Sequence, residues 1–448
     1  MPSPDTSKPS AGHLHKVLGV AFGLAVIVGT TIGSGILRTP GDIAAALPSA
    51  GWFFGVWIAG ALYALGGAMT MAELAVLIPR SGGQYAYARR ALGDYPGFVV
   101  GWTDWFSICG SAAAGSIALG ELSGALFPET ASWQTPVAIA TVLAFTAIHW
   151  IGVRSGDVTQ KLLSALKTVA LLAIAIACFT VPRGEGSATA ALGFPTGKLL
   201  IAAVVLSFQN VIYTYDGWNG LVYFSGEVRD PAREIPRAMG WGVVAVAIVY
   251  LALNGAFVYA LGMGQLAGEK FAAAAAAKLV FGATGERIVA AVMAVSLLGN
   301  VSAILMQGSR VPHAMASDGL MPNAMARVNA GGTPYAALIA STIIAIGLVL
   351  TGTFETVIAI SAFFFVMQYA TTFTSLFVLR RTEPDLPRPY KAWGYPVVPA
   401  IVLIGALAFL VGSFVTDRTN SIHALYVLVA SVPAYLVTRR LVRPAGTP

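Results

Sequence analysis

The sequence predicts an all-α membrane protein with about twelve transmembrane helices, and two observations carry that prediction. The first is composition. Of 448 residues, 56% are hydrophobic and 10% are charged, and the mean hydropathy is +0.74. A soluble domain carries roughly 25% charged residues. A soluble chain of this length would bury a large core and still need a polar skin, and there are too few charges here to make one. The outside must therefore face lipid. The second is recurrence: apolar stretches follow one another along the whole chain, with basic residues in the loops between them.

A spanning helix needs about twenty mainly apolar residues. About twelve stretches qualify: 17–46, 52–78, 97–126, 135–153, 162–181, 199–225, 240–262, 287–312, 335–353, 357–379, 396–415 and 421–438. An even number puts both ends on one side. Lys8 and Lys16 lie before the first stretch, and Arg80, Arg89 and Arg90 follow the second. Arg154 and Lys161 lie between the fourth and fifth, and Arg229, Arg233 and Arg237 follow the sixth. Arg327 follows the eighth, Arg380, Arg381, Arg388 and Lys391 follow the tenth, and Arg439, Arg440 and Arg443 come after the last. All of these fall on the side of the N-terminus. The opposite loops hold fewer, chiefly Arg183, Lys198, Lys270, Lys278, Arg287 and Arg418. The bias predicts both termini, 1–16 and 439–448, to be cytoplasmic tails. Met1 to Lys16 is polar and precedes an apolar stretch longer than a signal core, which argues against a cleaved leader. Gly264 to Gly285 is too short and interrupted to span and is expected to be an external loop with short helices.

Several function classes are excluded at this stage. A formal charge of +7 would suit nucleic acid, but the basic residues sit between apolar segments, where membrane topology accounts for them. Cys109 and Cys178 lie inside apolar runs, so neither a disulfide framework nor a metal cluster is expected. No HExxH, P-loop, GxSxG or paired catalytic acid pattern is present, so neither an enzyme nor a bound cofactor is expected. A channel would need selectivity rings or a repeated pore motif, and none is visible. The Asn300-Val301-Ser302 triplet falls inside a span and cannot be a glycosylation site.

The chemistry is expected where apolar helices are interrupted. An unwound helix at membrane depth exposes N–H and C=O groups, tolerated only where they are buried in protein or bind a ligand. The first stretch contains Gly29-Thr30-Thr31-Ile32-Gly33-Ser34-Gly35-Ile36. Glycine lets the backbone leave the helix, and the half-helix that follows directs free N–H groups and a positive dipole end at the gap, which suits a carboxylate. The competing reading is helix packing through the Gly29/Gly33 GxxxG pair. The sixth stretch contains Tyr213-Thr214-Tyr215-Asp216-Gly217-Trp218-Asn219-Gly220. An acid inside a span is costly, and it marks a functional site unless it serves as a hydrogen-bonded packing residue. Carbonyls unwound here would accept bonds from an ammonium group, so the two breaks together would clamp both ends of a zwitterion. Breaks in stretches one and six fit two inverted five-helix repeats, although no internal sequence similarity is evident.

Lys167 lies about two turns beyond Lys161, roughly 9 Å deeper. It is either a fixed or titratable cation between helices or a side chain snorkelling to the interface. Glu73, Asp104, Glu121 and His149 read as structural. Phe363-Phe364-Phe365 reads as packing, with a pocket wall as the alternative.

Taken together these residues resemble the amino acid–polyamine–organocation superfamily, close to the L-type amino acid transporters and their bacterial relatives. The first-stretch GTTIGSGI resembles that family's unwound motif. Ala72-Glu73-Leu74 through Pro79-Arg80-Ser81-Gly82-Gly83-Gln84-Tyr85-Ala86-Tyr87 resembles its first cytoplasmic loop, and Gly101-Trp102 the opening of its third helix. Tyr215-Asp216-Gly217-Trp218-Asn219 resembles its sixth-helix break, and Glu227-Val228-Arg229-Asp230-Pro231-Ala232-Arg233-Glu234-Ile235-Pro236-Arg237 the loop after it. Arg310 through Asp318-Gly319-Leu320-Met321-Pro322 and Arg388-Pro389-Tyr390-Lys391 also fit. The resemblance covers nearly the whole chain in the correct order.

The resemblance implies a LeuT-like fold: a first repeat over 17–181, an inverted second repeat over 199–380, and two further helices over 396–438. It implies a substrate site at Thr31, Ile32, Gly33, Ser34, Gly35, Tyr213, Asp216, Gly217 and Asn219, with Tyr213 as an aromatic gate. Lys167 matches the lysine that stands where sodium sits in sodium-coupled relatives, with the Gly29 backbone and a helix-eight residue (Ser296, Asn300 or Ser302) beside it. The implied activity is sodium-independent exchange of small neutral L-amino acids. Proton-coupled symport, transport of cationic amino acids or polyamines through Asp216, and amino acid sensing without flux are the alternatives. Relatives that pair with a glycoprotein subunit carry a cysteine between helices three and four. Residues 127–134 have none, so no disulfide-linked heavy subunit is expected, and a bacterial inner membrane is the expected location.

Overall fold

A membrane-embedded backbone must satisfy its own N–H and C=O groups, and in this chain it does so with helices. The computed structural model describes residues 14–33, 35–183, 193–351, 354–416 and 418–441. The sequence-stretch tails before residue 14 and after residue 441, with Lys8 and Arg443, lie outside the described residues, and so does Ser34.

The first predicted stretch is two helices, α1 (Val20–Thr31) and α2 (Gly35–Ala46), bent by 52° at the break. There follow α3 (Ala50–Leu77), a short α4 (Gln84–Leu92), α5 (Asp94–Leu126), α6 (Gln134–Ile151) and α7 (Val153–Cys178). The sixth stretch is α8 (Gly197–Tyr215) followed, after its break, by a 3-10 segment Gly220–Glu227. Then come α9 (Pro231–Leu266), α10 (Ala272–Phe281), α11 (Gly285–Gly308), α12 (Arg310–Ser317), α13 (Tyr335–Thr351), α14 (Phe354–Thr382), α15 (Val397–Thr416) and α16 (Arg418–Leu441). A helix stands within each predicted stretch. Among the described residues, seven helical stretches are long and apolar enough to cross a membrane, or eight when α1 and α2 count as one broken span. The loop expected between Gly264 and Gly285 contains the helix α10.

The packing surrounds the first break. Helix α1 lies against α7, α9 and α11, while α8 lies against α3. Small residues permit the close approaches: a Cβ on Gly29 would fall 1.8 Å from Gln160 Nε2 on α7. Aromatic rings of Trp57, Tyr215 and Tyr250 meet edge-on or tilted, with centroids 4.9–6.1 Å apart.

Several charged side chains inside this apolar body are paired, which offsets the cost of burying them. Glu73, fully buried, accepts bonds from Arg380 and from the Ala392 amide, with Arg388 at 3.3 Å. Glu227 and Arg310, both sealed from solvent, form a two-pronged pair at 3.0 and 2.9 Å. The Arg310 guanidinium also stands 5.0 Å from the Phe224 ring centroid. Asp104 accepts the Tyr223 hydroxyl at 2.8 Å, and His149 bonds the Ser302 carbonyl at 2.9 Å. Of the four residues read as structural, Glu73, Asp104 and His149 thus have internal partners. Phe363 and Phe364 pack with Ala424, while Phe365 turns to the cavity described next.

Candidate functional site

Both interruptions leave the helix where the glycine pattern placed them. Helix α1 ends at Thr31, and Ile32 adopts an extended conformation (φ −77°, ψ 95°). Helix α8 ends at Tyr215, and Asp216 likewise turns out (φ −59°, ψ 148°). Gly217 follows at φ +108°, a region that side-chain-bearing residues rarely adopt. A Cβ there would also sit 2.7–2.9 Å from the backbone of Thr30 and Thr31. Glycine at 217 is therefore required twice, for its own dihedral and for the contact between breaks.

Three side chains lock that contact. The Thr30 hydroxyl donates to the Gly217 carbonyl at 2.7 Å. The Asn300 amide on α11 donates to the Thr30 carbonyl at 3.0 Å. The Tyr250 hydroxyl on α9 lies 2.8 Å from the Thr31 carbonyl and 2.9 Å from the Thr214 carbonyl, touching both breaks.

Between the breaks is a cavity of about 180 Å³. Thr31, Gly33 and Gly35 line it from the first break, and Tyr213, Asp216, Gly217 and Asn219 from the second. Ala114, Gly115 and Ala118 of α5 give it a low wall, and Asn300 and Gln307 of α11 with Phe365 of α14 complete it. A Cβ on Gly33 would meet nothing within 4 Å, so its backbone faces open space. Helix α2 begins at Gly35, and the amides of its first turn have no partners four residues back. That end of the cavity suits an anion. At the other break the Asp216 carboxylate accepts the Tyr369 hydroxyl, and Tyr369 stacks on Trp218 with centroids 5.0 Å apart. Among the described residues Asp216 forms no ion pair. Its negative end favours an ammonium group.

Lys167 lies behind the first break and is wholly buried. Its ammonium donates to the Gly29 carbonyl at 2.8 Å and the Ile32 carbonyl at 2.7 Å. It does not snorkel; it satisfies carbonyls that the unwound turn has freed. Beside it, Gln160 and Ser164 of α7 bond the Ala25 carbonyl.

Two expectations change on this geometry. Ile32 does not line the cavity: its side chain is buried, its amide donates to Val28, and its carbonyl serves Lys167. Ser302 is not among the hydrogen-bond partners of Lys167, which are the Gly29 and Ile32 carbonyls. It faces His149, with its hydroxyl 3.4 Å from Nε2. On α11, Gly299 lies near the ammonium: an added Cβ would stand 3.9 Å from Nζ. Ser296 has a buried hydroxyl with no partner in the structure. Thr30, Tyr250, Gln307 and Tyr369 were not singled out by the sequence. A polar residue in an apolar run was the available signal, and it does not say which face the residue occupies.

The chain also matches known proteins along its length. The amino acid permease family matches residues 20–434. The serine/threonine exchanger SteT of Bacillus subtilis (strain 168) is 28% identical over 429 residues, covering 94% of this chain and 96% of that protein. The b(0,+)-type amino acid transporter 1 of Mus musculus is 28% identical, covering 90% and 84%. The large neutral amino acids transporter small subunit 2 of Homo sapiens is 29% identical, covering 97% and 83%. Matched over nearly its whole length, this chain belongs to the amino acid permease family: it is an integral membrane transporter and not an enzyme.

Proposed function

We propose that the protein is a sodium-independent exchanger of small neutral L-amino acids working by alternating access. The carrying observation is that the two backbone breaks line one cavity, with the anion-favouring end of α2 on one side and the Asp216 carboxylate on the other. A zwitterion matches that polarity. The substrate carboxylate binds at Gly33, Ser34 and Gly35, and its ammonium binds near Thr31, Tyr213 and Asp216, with Gly217 and Asn219 completing the wall. The small α5 wall of Ala114, Gly115 and Ala118 leaves room for a modest side chain. The name of the serine/threonine exchanger supports small neutral substrates, and that of the large neutral amino acids transporter subunit supports neutral ones.

The architecture belonging to this reading is twelve spans in a LeuT-like arrangement, with inverted repeats over 17–181 and 199–380 and two further helices over 396–438. Paired contacts support it: α1 packs on α9 as α8 packs on α3, and α5 packs on α13 as α11 packs on α6. An exchange of the two repeats maps each contact onto the other. Loop charges support cytoplasmic termini and, with the absence of a cysteine over 127–134, a bacterial inner-membrane protein without a disulfide-linked subunit.

Lys167 supplies a fixed positive charge to the Gly29 and Ile32 carbonyls, the work a sodium ion does elsewhere, so sodium is not needed. Within the cavity Tyr213 is 45% exposed while Tyr223 is 1% exposed. The site is thus open on the Tyr213 side and sealed beneath. On the sealed side Leu18 pairs with Glu227 and Arg229 through backbone bonds at 3.0 Å, and the Glu227–Arg310 pair lies next to that seam. A proton symporter is the second reading, favoured by the unpaired Asp216 in the cavity wall. Uptake of labelled L-alanine into loaded and empty proteoliposomes separates the two.

A further inference from the structure

Gln307 is a residue that neither the zwitterion clamp nor the helix packing uses. It lies on α11 about two turns beyond Asn300, roughly 10 Å along the axis. Side chains on a helix lean toward its N-terminus, so Gln307 reaches back toward the Asn300 turn and the substrate level. The residue lines the cavity. The residue is 5% exposed, and its amide nitrogen is buried with no hydrogen-bond partner. That nitrogen would lie 3.0 Å from a Cβ on Gly220, close to the start of the 3-10 segment after the second break. Thr31, also on the cavity wall, contributes a second buried donor without a partner, its hydroxyl. Buried polar groups without partners cost about 1–3 kcal/mol each. A neutral ligand that supplies the missing acceptors removes that cost, and an apolar one of equal shape does not.

We propose that Gln307 reads the substrate side chain, and that the preferred substrates are amino acids whose neutral side chain carries a hydroxyl or carboxamide. This rests on the exchanger reading above and narrows its substrate class. Three features of the cavity agree. Among the described residues no lysine or arginine lines it, so it offers no countercharge to an acidic side chain. Asn219 and Asn300 add neutral amides to the same wall. The low wall of Ala114, Gly115 and Ala118 disfavours a long apolar side chain by giving it little to pack against.

The test is counterflow with the purified full chain in proteoliposomes, using pairs of equal shape: L-serine against L-2-aminobutyrate, and L-threonine against L-valine. The wild type is expected to exchange the hydroxyl-bearing member at least about tenfold better in kcat/KM, the worth of one hydrogen bond to a buried group. Gln307→Leu should bring each ratio to near one. Gln307→Met is the second variant, since it keeps the unbranched shape, and monodispersity in detergent confirms that either variant is folded. Equal exchange of both members by the wild type overturns the proposal, and so does a hydroxyl preference that survives in both variants. Those results leave the exchanger reading intact, whereas a wild type that exchanges no amino acid at all overturns both.

Discussion

The Tyr250 hydroxyl lies 2.8 Å from the Thr31 carbonyl, and at 2.9 Å the same oxygen reaches Thr214 on the other break. One side chain on α9 therefore holds the last helical turns of both unwound segments. A tyrosine has a single proton to donate, so the two carbonyls share it. The arrangement lets the breaks move together with α9, or separate once this bond and the Thr30–Gly217 bond are lost.

Tyr250→Phe keeps the ring among Trp57 and Tyr215 and removes the bridge. Buried carbonyls left without a donor cost about 1–3 kcal/mol. We expect substrate affinity to weaken about tenfold, with thermal stability reduced by the same order. Isothermal titration and a melting curve in detergent check both. Unchanged affinity would mean that the Thr30–Gly217 bond alone positions the site.

Gly33→Leu places a side chain in open space, since nothing lies within 4 Å of the added Cβ. The fold should tolerate it while the cavity fills. Ligand at a hundred times its dissociation constant stabilises the wild type by about 2.7 kcal/mol. The variant should melt at the wild-type temperature without ligand and gain nothing from adding it. A retained ligand shift would move the carboxylate site away from Gly33.

Lys167→Ala removes the donor that satisfies the Gly29 and Ile32 carbonyls. Exchange should fall at least about tenfold, the effect of leaving buried acceptors unpaired at the site's edge. The elution profile should remain that of a folded protein. Lys167→Arg, whose planar fork does not match a compact ammonium, should not restore the rate. Normal transport by the alanine variant would make the lysine dispensable.

Glu227→Gln leaves the Arg310 cation sealed from water without its countercharge. Breaking one partner of a buried pair costs about 3–5 kcal/mol, so the melting temperature should fall clearly. Replacing both residues with apolar ones should recover much of the loss. A single variant as stable as the wild type would show that water reaches the pair.

Much of this was legible in the sequence, for a physical reason. Span length and the basic loops follow from bilayer thickness and topology, and each of the predicted stretches contains a helix. The breaks were visible because glycine and polar residues are costly in an apolar span, and both unwind where Gly29–Ile36 and Tyr213–Gly220 placed them. Lys167 against Gly29 was legible through family resemblance. What stayed hidden depends on helix rotation. Tyr250 and Gln307 sit in long helices whose apolar residues surround them on every face, so no amphipathic pattern gives their direction. For that reason the sequence left Ser296, Asn300 and Ser302 open as the neighbour of Lys167, while Gly299, one turn before Ser302, lies near the ammonium. Ile32 was assigned to the cavity because it lies between residues that line it. An extended residue turns its side chain away from its neighbours' direction, and Ile32 points into the core. The amphipathic α4, bounded by Gly83 and Gly93 at φ +64° and +100°, was also not anticipated.

The most direct test is labelled L-alanine uptake into proteoliposomes in sodium-free buffer, preloaded with unlabelled amino acid or empty, with and without an inward proton gradient. The account predicts uptake only into preloaded vesicles, unaffected by sodium or by the gradient. Uptake into empty vesicles that requires sodium or the proton gradient would contradict it.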